Sequence, residues 1–337
     1  MSILFTNVTG LTMDPAGPVL NGAFVAVEGN KITSVGVQRP GGEFERVIDC
    51  TGKVMLPGFV NAHTHVPMTL MRGYGGGCDL HTWLNDYIFP AESKLNERCV
   101  AAGAALGLAE MIASGTTCIA DMYMYTETIA KTVLEAGISA NLACGAVYFG
   151  EPADFSPQTC NDCENHIRLY ENWHGAGEGQ ILVDASIHAE YTSCPPVWEW
   201  VADFAQKHGL RMHVHVSETR SEHVNCIDKY GMTPAQTLDK YGVWQNGGIA
   251  AHCVHLSGGD AELFAKRGVT GVHNPVSNLK LMSGVAPLFF LRDCGMRMAL
   301  GTDGVASNNS HNLFEEMKVA ALTQNSHFGE DNGPLQA

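Results

Sequence analysis

Apolar and polar positions along the chain change their rhythm once, near residue 56. Before it, the segments ILFTNVTGLTM, AFVAVEGNKITSVG and RVIDCTGKVMLP read as short strands separated by turn residues, the second of them turning at Gly29-Asn30. Residues 1–56 therefore form a small β module, and they hold no cluster of metal ligands or paired acids. From Val54 onward, strand-like segments alternate with helix-like ones, the order that gives a parallel sheet with helices packed outside it. The strand candidates are VMLPGFVNAHTH, TTCIADMY, SANLACGAV, ILVDASIHAE, RMHVHVSE, GIAAHCVHL, GVTGVHNP and RMALGTD. The clearest helix covers 96–114, rich in Ala, Leu, Met and Glu and ended by Gly115. Eight such units over roughly 250 residues are the arithmetic of a TIM (β/α)8 barrel, here over 57–337.

Composition narrows the partners. Thirty-five acidic residues against 20 Lys and Arg leave a formal charge of -15, which repels a phosphate backbone, so nucleic acid is not an expected partner. No apolar run approaches the ~18 to 20 residues needed to cross a bilayer, and MSILFTNVTG lacks the basic start and long apolar stretch of a signal peptide. The expectation is a cytoplasmic homo-oligomer without membrane contact. Its 11 scattered cysteines are expected to be reduced thiols, with no structural disulfide.

A barrel carries its chemistry at the C-terminal ends of its strands, and here those ends are rich in histidine. The first closes on His63-Thr64-His65, whose residues i and i+2 project to the same side. The fifth ends in His213-Val214-His215 followed by Glu218, the sixth in His252-Cys253-Val254-His255, and the eighth in Asp303. Convergence of His63, His65, His215 and Asp303 would offer three nitrogens and one carboxylate oxygen, a set suited to Zn²⁺. Fe²⁺ or another divalent ion is the alternative.

The stretches PGFVNAHTHVPMTLMRG, VHVSET, AAHCVHL, HNPVSNLKLMSGVAP and LGTDGVASNNS resemble the metal-dependent amidohydrolase superfamily, and within it the 5-methylthioadenosine/S-adenosylhomocysteine deaminases. The resemblance implies a zinc-dependent aminohydrolase that replaces the 6-amino group of an adenine nucleoside with oxygen and releases ammonia. It implies His63, His65, His215 and Asp303 as metal ligands, Glu218 in the acid/base role, and His252 beside the attacking water. Asp303 would also help move a proton to the leaving amine. His188 falls at the purine-side histidine, Glu92 at the ribose-binding carboxylate and Trp83 at the aromatic pocket wall. His213 is expected to be a packed core histidine.

One departure bears on the substrate. Where adenosylhomocysteine-processing members carry arginines for the amino acid carboxylate, this chain reads SANLACGAV with Cys144, and the following loop EPADFSPQTCNDCEN has no arginine. Methylthioadenosine, 5'-deoxyadenosine and adenosine therefore rank above adenosylhomocysteine, unless an arginine elsewhere, such as Arg72, Arg168 or Arg220, or one from a neighbouring subunit, replaces the clamp. The competing readings are an amidohydrolase acting on another ring, such as a triazine chlorohydrolase or a guanine deaminase, and an inactive metal-binding barrel serving in assembly.

Two short motifs are set aside. Cys160-Asn161-Asp162-Cys163 has the spacing of half a zinc site but no second pair, so two loop thiols are expected. His188-Ala189-Glu190 mimics the HxE of nucleobase deaminases, but the CxxC precedes it and lacks the proline. Finally, only 34 of the 337 residues follow Asp303, whereas relatives of this kind continue through closing helices to strands that complete the N-terminal β-sandwich. The expectation is an incomplete sandwich and a chain truncated at DNGPLQA.

Overall fold

The computed structural model describes residues 1–332, in two compact units, Met1–Gly58 and Phe59–Ala337. Positions 333–337, most of the DNGPLQA end, lie outside the described residues. The boundary falls two residues beyond the one read from the sequence.

The first unit is one five-stranded sheet: β1 (Ser2–Gly10), β2 (Leu20–Glu28), β3 (Lys31–Gly36), β4 (Arg46–Asp49) and β5 (Val54–Met55). Its order is β3-β2-β1-β4, with β5 also on β1. The β2–β3 hairpin turns at Gly29-Asn30 as expected, with Gly29 at φ 62°, a conformation that suits glycine. Val8, Ala23, Val25 and Cys50 form its small apolar cluster. The expected sandwich is thus present as a single layer among the described residues.

In the second unit every paired strand is parallel. Its strands are β6 (Phe59–Thr64), β7 (Thr116–Met122), β8 (Ser139–Ala143), β9 (Ile181–Val183), β10 (Ala185–Ser186), β11 (Met212–Val216), β12 (Gly248–His252), β13 (Val269–His273) and β14 (Arg297–Leu300). Pairing runs β6-β7-β8-β9 and β10-β11-β12-β13-β14. Bridges between Ala146 and Ile187 and between Thr64 and Asp303 join the two runs into a closed barrel. The segment ILVDASIHAE, read as one strand, is instead β9 and β10 interrupted at Asp184, whose buried carboxylate accepts a bond from Asn141 Nδ2 at 3.1 Å. Barrel closure depends on Gly301: a Cβ there would stand 2.7 Å from the His63 carbonyl oxygen. All five residues of β11 are buried, as both faces of a barrel strand are covered. No described helix is long and apolar enough to cross a membrane.

The helix Glu97–Ala113 begins where Asn96 accepts a bond from Cys99 N–H at 3.1 Å, and Ser114 and Gly115 end it. Its small residues let it lie against the 3-10 turn Val66–Met71, the segment that leaves His65. Thr69 Oγ1 donates to the Gly103 carbonyl at 2.6 Å, and a Cβ on Gly103 would meet the Pro67 carbonyl oxygen at 2.4 Å. Alanine is the better helix former by about 1 kcal/mol, but forcing a methyl against backbone typically costs about 1–3 kcal/mol. Gly103→Ala should therefore lower the melting temperature, and calorimetry showing a rise would refute this close packing.

Candidate active site

Four strand ends deliver the candidate ligands. His63 lies on β6, His65 one residue past it, His215 on β11, and Asp303 after β14. One ligand atom from each lies within 4.8 Å of all the others. His63 Nε2 and His65 Nε2 stand 3.3 and 3.1 Å from Asp303 Oδ1, and His65 Nε2 is 3.3 Å from His215 Nε2.

Their far sides are all held. His63 Nδ1 meets His213 Nε2 at 2.8 Å, His65 Nδ1 meets the Met122 carbonyl at 2.5 Å, and His215 Nδ1 meets the His188 carbonyl at 2.7 Å. Such outer contacts fix the tautomer and turn each Nε2 inward. Asp303 Oδ2 likewise accepts hydroxyls from Ser277 at 2.6 Å and Ser307 at 2.8 Å, which leaves Oδ1 for the histidines. His63 Nε2 is buried and has no hydrogen-bond partner. A buried nitrogen so placed, among two further imidazole nitrogens and a carboxylate oxygen, fits a divalent metal such as zinc.

The charges agree with this geometry. Burial works against ionisation of Asp303, but the His63 and His65 imidazoles facing it outweigh burial and hold the carboxyl well below its usual range. Burial also opposes the His65 imidazolium, yet Asp303 lifts that group to about 9. His63 is pushed down to about 4, chiefly by burial. The carboxylate thus attracts positive charge to a place where His63 remains an available donor.

Beside this cluster, Glu218 follows β11 and His252 ends β12. Glu218 Oε2 is 3.5 Å from His252 Nε2, and its Oε1 accepts from Ser283 Oγ at 3.1 Å. Burial raises the Glu218 pKa above the ordinary carboxylate range. His252 Nδ1 meets Asn278 Oδ1 at 2.7 Å. Ser217, His252 and Asp303 have φ of 49°, 71° and 58°, unusual for residues with a side chain and concentrated where three strands deliver polar groups.

A pocket of about 380 Å³ opens onto these residues, and His65, His215, Glu218, His252, Asp303, Trp83, Glu92 and His188 all line it. His63 lies beneath, fully buried. Trp83 opens a π-type turn, Trp83–Ile88, within the helical stretch 80–92 that ends at Glu92; such turns recur at functional sites. His188 Nδ1 pairs with Thr192 Oγ1 at 3.0 Å, and burial pushes the ring down to about 3, so it remains neutral. Cys144 lines the pocket, and no Arg or Lys does so among the described residues. Arg72 and Arg168 pair instead with Glu110 and Glu127, and Arg220 is exposed at the start of the helix Arg220–Tyr230.

Two expectations are refined. His213 is buried as expected, but it also anchors His63. Cys160 precedes the helix Asn161–Trp173 and Cys163 is buried within it, and both are free thiols. Glu190 of the HxE look-alike is buried and does not line the pocket. Sequence reasoning gave no role to Ser277, Asn278, Ser283 or Ser307, although all lie in the stretches HNPVSNLKLMSGVAP and LGTDGVASNNS. It also passed over Tyr123, which its place at the end of β7 could have flagged.

The amidohydrolase family model matches residues 54–337. The chain is 41% identical over 331 residues to a 5-methylthioadenosine/S-adenosylhomocysteine deaminase of Caldanaerobacter subterraneus subsp. tengcongensis, covering 98% of this chain and 75% of the relative. It is 41% identical over 317 residues to a 5'-deoxyadenosine deaminase of Methanothermobacter thermautotrophicus, covering 94% and 73%. Among solved structures, a zinc-bound adenosine deaminase from Xanthomonas campestris superposes with a TM-score of 0.88 at 30% identity, over 99% of this chain and 76% of that one. With its closed parallel barrel and histidine-rich strand ends, the chain belongs to the amidohydrolase family.

Proposed function

We propose that this protein hydrolyses the C6–N bond of an adenine nucleoside, giving the inosine analogue and ammonia. The observation that carries the reading is the meeting, in one pocket, of the His63, His65, His215 and Asp303 cluster with Glu218 and His252. The deaminase names of the relatives support it. So do Trp83, Glu92 and His188, which line the same pocket. The reading locates the enzyme in the cytoplasm, where its reduced cysteines are stable.

The ligands would be His63, His65, His215 and Asp303, with zinc as the preferred ion. When bound, such a metal supplies the Lewis acidity that makes water nucleophilic at neutral pH. Glu218, buried and with its pKa raised, takes a proton from the attacking water and delivers it to ring N1, which makes C6 electrophilic. His252, held through Nδ1 by Asn278, presents Nε2 to orient the attack and stabilise developing charge. Asp303 takes the remaining proton of the oxygen added at C6 and passes it to the departing amine, so that ammonia leaves as the C6 carbonyl forms. His188, neutral, offers a hydrogen bond to the purine, Glu92 accepts from the ribose, and Trp83 walls the pocket.

Three outcomes follow. His65→Ala should lose the metal, and a full complement measured by elemental analysis would remove His65 from the ligand set. Glu218→Gln should keep the metal and lose turnover by about 10²- to 10⁴-fold, since an amide cannot shuttle the proton; near-normal ammonia release would exclude Glu218. With no Arg or Lys lining the pocket among the described residues, the carboxylate of adenosylhomocysteine is desolvated without a clamp. Methylthioadenosine and 5'-deoxyadenosine should then show the higher kcat/KM. Side-by-side kinetics favouring adenosylhomocysteine would require a clamp from elsewhere, and no turnover of any adenine nucleoside by the metal-loaded protein would overturn the reading as a whole.

A further inference from the structure

Glu316 lies in the first turn of the helix Leu313–Asn332, does not line the pocket, and is 1% exposed. An acid in a first turn is favoured by the helix dipole, and the exposed Glu315 beside it already meets that need. The dipole does not account for burying a second one, because burial penalises the charged form and raises the Glu316 pKa to about 8. What distinguishes Glu316 is that both its oxygens are engaged. Oε1 accepts from Asn308 Nδ2 at 2.5 Å, and Oε2 accepts from the Val276 N–H at 3.2 Å.

Those two donors belong to different barrel loops, and the residue next to each reaches the same atom. Ser277, after Val276, and Ser307, before Asn308, both donate to Asp303 Oδ2, at 2.6 and 2.8 Å. Val276 and Ser277 lie in the helix Pro275–Lys280 behind β13, while Ser307 and Asn308 follow β14. Asn308 Nδ2 also donates to the carbonyl of Thr302, the residue before Asp303, at 2.7 Å. One buried carboxylate thus ties together the two turns that hold another. A carboxylate oxygen that accepts two hydroxyls is fixed in direction, so the placement of these turns sets where Asp303 Oδ1 points.

We propose that Glu316 is a positioning residue for Asp303, bridging the Ser277 and Ser307 turns so that both hydroxyls hold Oδ2 and Oδ1 is left facing His63 and His65. This rests on the metal-ligand assignment made above and is independent of the substrate. Glu316 touches neither the ligand atoms nor the pocket, and it acts through the two serines.

The test measures the zinc affinity of the whole protein by competition with a chelator. Glu316→Gln leaves one accepting oxygen for two donors. The affinity should fall about 10- to 100-fold, the usual cost of losing a group that orients a ligand. Ser277→Ala combined with Ser307→Ala should fall as far. Adding Glu316→Gln to that pair should cost less than about threefold more, because the serines through which it acts are gone. Should the amide variant not fold, Glu316→Asp, one carbon too short to reach both turns, replaces it with the same expectation. A role confined to stability would lower the melting temperatures of the metal-free and zinc-loaded forms together and leave the zinc affinity of the folded protein unchanged. That outcome overturns the inference, as does full additivity of the three substitutions or a serine pair that binds zinc normally. The predicted losses of zinc affinity in a protein that deaminates no adenine nucleoside would leave the inference standing while sinking the deaminase reading. Unchanged affinity in the variants of an active deaminase would sink the inference alone.

Discussion

Asp303 is a carboxylate buried in the mouth of a barrel, and the surrounding site answers its need for compensation. An unpaired carboxylate in such a place would take up a proton or destabilise the fold. Here one oxygen faces His63 and His65, while the other accepts two serine hydroxyls. The imidazoles must in turn be aimed, so each Nδ1 is tied to another part of the barrel, two of them to carbonyl oxygens and one to His213. Barrel closure and site assembly are one event: the Asp303 N–H donates to the His63 carbonyl at 3.0 Å, so the residue that closes the strand ring also joins its first and last ends.

The backbone bears part of the cost. Ser217, His252 and Asp303 sit in left-handed conformations, and such positions persist only where neighbouring bonds hold them. Around Ser217 this is visible in detail, because the buried Glu222 accepts from the N–H groups of Ser217 at 2.6 Å and Glu218 at 2.7 Å. The same carboxylate closes a capping box with Thr219 at the head of the helix Arg220–Tyr230. An ordinary helix start thereby aims Glu218 into the pocket.

Electrostatics also shape the pocket beyond the cluster. Glu92, Asp162, Glu218 and Asp303 line it without an Arg or Lys among the described residues. The positive charge available there comes from histidine and from any bound ion, in a chain whose formal charge is already -15. The pocket's apolar walls include Phe89, Phe149 and Leu281.

The sequence by itself determined the alternation of strands and helices, the barrel, and the four ends His63, His65, His215 and Asp303, because each follows from local order. Strands have period two, barrels display chemistry where strands finish, and Asn96 and Gly115 bound a helix by chemistry within one turn. Only the tertiary structure decided that His213 anchors His63 from 150 residues away, that Asn61 bonds Thr302 across 241 residues, and that Ser277 and Ser307 meet on one carboxylate oxygen. It also split the fourth strand at Asp184. The physical reason is that hydrogen-bond satisfaction depends on which side chains closure of the barrel brings within about 3 Å. That distance is set by packing of remote segments and has no periodicity along the chain.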